Sequence, residues 1–151
     1  MQVFDDFSDN ARVWLYQTHR PMSENEQKEI TAEINSFVRE WAAHGSKLLA
    51  NGAILNKHFI AFTVEDEKTL PSGCSIDASV KFLKAIGQKY NLDFFNRLNV
   101  FVEIDGEIKK CVYSQLDQLD DDTLVYDSLI TKLGDLRNDW PSKLKESNLV
   151  Q

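Results

Sequence analysis

The hydrophobic pattern changes period several times along the chain, and each change marks an element. Residues 12–17, Arg-Val-Trp-Leu-Tyr-Gln, are rich in aromatic and β-branched side chains, a strand pattern closed by Pro21. Ser23-Glu24-Asn25-Glu26 then forms a capping box. The Ser23 hydroxyl can accept from the Glu26 amide while the Glu26 carboxylate reaches back to the Ser23 amide. Ile30, Ile34, Phe37, Val38 and Trp41 follow at helical spacing and predict a helix over about 24–43, with Gly45 as its left-handed stop.

Residues 47–55 and 58–65 read as strands, with Asn51-Gly52 as a bulge or turn inside the first. In the second, Ile60, Phe62 and Val64 form a wholly apolar set, and that face is expected to meet the core. Val80, Leu83, Ile86 and Tyr90 mark one stripe of a second helix over about 76–90. Two β-rich runs flank Asp105-Gly106, the signature of a hairpin with a type I′ turn. A short helix over 114–119, a strand over 123–126 and a helix over 131–140, stopped by Pro141, complete the pattern.

The order β-α-β-β-α-β-β indicates an α+β fold class. It resembles a ferredoxin-like sandwich, two helices on one face of an antiparallel sheet, with an added hairpin strand and a small C-terminal helical extension. At 151 residues, without repeats or a linker, the chain is expected to form one domain, its ends 1–10 and 142–151 loosely held.

Charge narrows the function classes. Asp and Glu number 24 against 17 Lys and Arg, a net charge of −7, which disfavours nucleic acid and anionic membrane surfaces as partners. Nine Phe, four Tyr and three Trp supply ample core. The first residues lack the basic and apolar regions of a signal peptide, and no apolar run is long enough to span a bilayer. The expectation is a cytoplasmic protein whose two cysteines are reduced.

The densest polar chemistry is Ser72-Gly73-Cys74-Ser75-Ile76-Asp77, at the start of the second helix. Spare amides and the dipole at a helix N-terminus favour an anion, and the same field lowers a cysteine pKa, which would suit a nucleophile. A base would have to stand near Cys74, and His58 and His44 are the candidates. The bland alternative has Ser75 or Asp77 capping the helix and Cys74 as a small packing residue. A phosphatase loop needs an Arg six residues after its Cys, where this chain has Val80. Arg20 could grip a carboxylate or phosphate, or simply pair with an acid of the following helix. Arg20, Gly73, Cys74, Ser75 and Asp77 are thus the candidate ligand-binding residues, and Cys74 with His58 the candidate catalytic pair.

Metal ligation is not indicated. The His and Cys residues are scattered, and Asp120-Asp121-Asp122 lacks the alternating ligands of a calcium loop. No phosphate-binding loop, dinucleotide fingerprint or serine elbow occurs, so no cofactor is expected. Trp14 and Trp41 read as core, Trp140 as exposed.

Val13-Trp14-Leu15-Tyr16-Gln17 with Arg20-Pro21, Trp41 with His44-Gly45, the Ser72–Asp77 run with Ser79-Val80, and Asp122-Thr123-Leu124-Val125-Tyr126 resemble a family of small uncharacterised bacterial proteins. Its members often carry the label "ABC transporter ATPase", which the missing nucleotide loop contradicts here. The resemblance spans about 11–147 and implies a soluble intracellular protein without an assigned activity. Residues 113–141 are also similar to GYF-type peptide-binding modules, with Tyr126 in place of the Trp expected after Leu-Val. The leading expectation is non-enzymatic binding of a protein partner or small anionic ligand by a monomer or homodimer. The alternative is a small enzyme or anion-binding protein built on the Gly73–Asp77 helix start with Cys74.

Overall fold

The computed structural model describes residues 2–44, 49–65 and 73–150. It has helices and antiparallel sheets, as the α+β reading requires. Strand β1 (Arg12–Gln17) leads to helix α1 (Glu24–His44), whose start carries the capping box in both directions: Ser23 N–H donates to Glu26 at 2.9 Å, and Glu26 N–H to Ser23 Oγ at 3.1 Å. Strands β2 (Leu49–Leu55) and β3 (Phe59–Glu65) follow, then helix α2 (Gly73–Tyr90). Asn51-Gly52 makes no turn; β2 runs straight through it. A Cβ on Gly52 would stand 2.7 Å from Ile34 Cγ2, so the glycine lets α1 lie close against the sheet.

These strands form a three-stranded sheet in the order β1-β3-β2, with both pairings antiparallel. A ferredoxin-like sandwich would complete it with a fourth strand on the outer edge of β1. Here β4 (Asn99–Ile104) pairs with β5 (Glu107–Val112) and with the short β6 (Leu124–Val125) instead, in a second sheet of order β5-β4-β6-β7, where β7 is Ser142–Lys143. Both edges of β4 are thereby taken: Asp105 and Gly106 adopt positive φ, 53° and 79°, and fold β5 directly back on one, while β6 pairs with the other.

The other face of the first sheet is also buried. Ile60, Phe62 and Val64 pack with α1 and α2, as expected, but Phe59 and Ala61 are equally buried on the reverse side. That side is covered by the C-terminal part of the chain, including helix α3 (Leu133–Asn138), so this part is a second packing layer. Trp140, expected at the surface, is buried there, 4.9 Å from Phe59 between ring centroids and 5.0 Å from Tyr126. The Trp140–Pro141 peptide bond is cis. Both chain ends carry buried anchors: Phe4 joins the Trp140 cluster, and Leu144 and Leu149 pack under the second sheet. No described helix is long and apolar enough to cross a membrane.

Candidate functional site

Helix α2 begins at Gly73, three residues earlier than the apolar stripe suggested, so the Gly73–Asp77 run lies within its first turns. Ser72 lies outside the described residues, as do the side chains of Cys74, Ser75 and His44. Asp77 is exposed; Ser79 is buried and donates to the Ile76 carbonyl at 2.6 Å.

Arg20 sits at the opposite end of this helix. Its guanidinium makes two bonds to Glu26, at 2.9 and 2.8 Å, and a third to the carbonyl of Tyr90 at 2.8 Å, where α2 ends. Carbonyls at a helix C-terminus lack intrahelical donors and carry partial negative charge, so the cation is used as a cap. Arg20 and the Ser23 amide together hold the Glu26 carboxyl at a pKa of about 2, well below its ordinary 4.5. Along α2, Tyr90 is about 24 Å from Cys74 at 1.5 Å per residue. His58 is on the Arg20 side as well, because Thr18 N–H donates to the His58 carbonyl and the ring rests 4.6 Å from that of Phe101. The structure therefore brings neither Arg20 nor His58 to the start of α2. The described thiol, Cys111, is half-buried, and burial raises its pKa, the reverse of activation.

What the start of α2 does border is an open groove of about 780 Å³. One wall is α2 itself, through Ile76, Val80 and Lys84, with Phe95 from the loop after it. The other wall comes from the second sheet and the C-terminal layer, through Val100, Tyr113, Leu129 and Leu149. Leu15, Tyr16 and Gln17 of β1 lie between them. Phe95, Tyr113 and Leu129 are 37%, 47% and 55% exposed, and Leu98 beside them 71%, an unusual gathering of uncovered apolar side chains. Among the described residues the lining has two cations, Lys84 and Arg97, and no carboxylate, although the chain as a whole is acidic. Among the described residues neither cation has a hydrogen bond or ion pair; Lys84 only leans over the Phe95 ring at 6.0 Å.

Asp127 builds the far wall. It is 1% exposed, and its carboxylate accepts from Leu129 N–H at 2.8 Å, Asn148 N–H at 2.8 Å and Asn148 Nδ2 at 3.0 Å. One buried charge thereby fixes the segments that carry Leu129 and Leu149. The Tyr113 hydroxyl adds a bond to the Leu149 carbonyl at 3.0 Å. Sequence reasoning missed all of these residues. A signal existed for Asp127, whose bond to the amide two residues on is a common Asp turn, and for Phe94-Phe95, two large apolar residues in a segment with no helix or strand period. Lys84 carried none, since it reads as an ordinary charge on the polar face of a helix. No protein-family model, curated protein or solved structure matches the chain.

Proposed function

We propose that this protein is a non-enzymatic binding domain whose site is the groove between α2 and the second sheet, and that its ligand is apolar with negative charge. The observation that carries the reading is the lining: among the described residues, apolar and aromatic walls with two unpaired cations and no acid, on a chain of net charge −7. Ligand sites are concave, mostly apolar and furnished with few polar groups, and a volume of about 780 Å³ falls within their usual range. The distance between Arg20 and the start of α2 argues against a joint anion site there. The likeness to the small bacterial family, and with it a cytoplasmic setting, stays part of this proposal and assigns no activity.

Anilinonaphthalene sulfonate, a fluorescent apolar anion, tests the site. Native protein is expected to bind it saturably at one site, and Leu129→Asp to weaken binding at least tenfold while the circular dichroism spectrum stays unchanged. Equal affinity in the variant, or no saturable binding by native protein, refutes the groove as the site.

A further inference from the structure

The backbone at the floor of the groove has a specific incompleteness. In an antiparallel strand, successive residues direct their amide and carbonyl groups to alternate sides. Thr18 N–H turns toward the β3 side and bonds His58, whereas Val13 N–H turns the other way and bonds Thr131. Leu15 and Gln17 share the phase of Val13, so their backbone groups face away from β3. The segment 131–133 pairs with this edge around residues 11–13, through Val13 N–H to Thr131 and Leu133 N–H to Ala11. Among the described residues no hydrogen bond uses the backbone of Leu15 or Gln17 on that side. It is the position where a fourth strand would complete the first sheet, and β4 has been drawn into the second sheet instead.

Building on the groove as the binding site, we propose that its occupant is an extended segment of a partner protein that adds to β1 as a short strand, bonding the amide and carbonyl of Leu15 and the amide of Gln17. A strand laid there turns alternate side chains toward the two walls, Ile76, Val80 and Phe95 on one and Tyr113 and Leu129 on the other. Lys84 and Arg97 select a segment that carries acidic residues beside its apolar ones. A second copy of the chain fits less well. Its own β1 edge is equally recessed between walls, and its net charge of −7 would meet an equal charge.

The test is a random heptapeptide display library panned on native protein and counter-selected on Leu129→Asp. Selected sequences are expected to alternate apolar residues and to include Asp or Glu. Resynthesis with N-methyl groups at every second residue, once in each phase, reads the backbone directly: one phase should weaken binding at least tenfold and the other leave it nearly unchanged. Equal tolerance or equal loss in both phases overturns strand addition, as does a library with no groove-dependent binder. Retention of the sulfonate dye under those outcomes leaves the groove standing as a small-ligand site, and loss of dye binding removes the groove itself. A dimer in light scattering that Leu129→Asp dissociates would assign the edge to a second copy and overturn the proposal.

Discussion

The two ends of helix α2 are finished in opposite ways. At the C-terminal end the charged groups are tied into pairs: Arg20 joins Glu26 to the Tyr90 carbonyl, and Glu33 accepts from the Tyr90 hydroxyl at 2.7 Å and from Lys89 at 3.1 Å. The chain then turns so tightly that Leu92 N–H reaches the Gly87 carbonyl at 2.9 Å. Toward the other end, Ile76, Val80 and Lys84 face an open groove and a strand edge with backbone groups to spare. The conspicuous charges of the sequence secure the closed end. The open end is distinguished by groups without partners among the described residues, which is what a surface kept for binding should look like.

The largest effect is expected where the far wall of the open end is held in place. Asp127→Ala would leave the Leu129 and Asn148 amides without their buried acceptor. The expected loss is about 3 kcal/mol, the scale of hydrogen bonds to a buried charge. Urea unfolding measures it, and Asp127→Asn, which keeps one acceptor oxygen, should lose clearly less. A loss below about 1 kcal/mol would mean that the wall stands without this carboxylate.

Next comes the closed end. A Cβ on Gly87 would lie 2.5 Å from the backbone oxygen of Leu92, which cannot move without opening the turn. Gly87→Val is expected to cost about 2 kcal/mol by overpacking. Val80→Ala, on the half-buried groove wall, should cost less than about 1 kcal/mol, because a site already open leaves little new cavity. Similar losses at the two positions would erase the contrast between the ends.

The Glu26 pair gives a smaller effect with a pH signature. Its folded pKa, about 2, lies below the ordinary 4.5, so its contribution is complete above pH 4.5 and is lost as pH falls toward 2. Partial exposure screens the pair, and Glu26→Gln should cost about 1–2 kcal/mol at pH 7. Unfolding free energies at pH 7, 4 and 3 should show the difference between native protein and variant shrinking below pH 4.5. A constant difference down to pH 2.5 would mean that the carboxylate charge is not what holds this corner.

These elements also show what a sequence reveals. The capping box at Ser23, the β1 run and the Asp105-Gly106 hairpin were legible because each is specified by neighbours within a few residues. The partnership of β4 was not, since pairing with β6 rather than β1 is a choice between distant segments that alternation alone cannot make. Nor was the double burial of β3, where Thr63 disguises a second inward face: its hydroxyl donates to the Arg12 carbonyl at 2.9 Å and so tolerates burial. Of the candidate site, Arg20 was legible as a cation with a nearby acid. The groove was not, because it is made of ordinary residues from separate parts of the chain and a strand edge that no described segment pairs with.

The smallest expected change in stability is the one that best isolates the site. Lys84 is exposed and has no ion pair among the described residues, so Lys84→Glu should alter stability by no more than about 0.5 kcal/mol. The same substitution reverses half of the groove's cationic charge. Binding of anilinonaphthalene sulfonate should weaken about fivefold at low salt, and the native protein's affinity should itself decline as salt rises. An uncharged anilinonaphthalene, which tests the apolar walls alone, should bind native protein and variant alike. If both dyes weaken equally, Lys84 shapes the groove through its stem over Phe95, and the charge preference proposed for the ligand is lost.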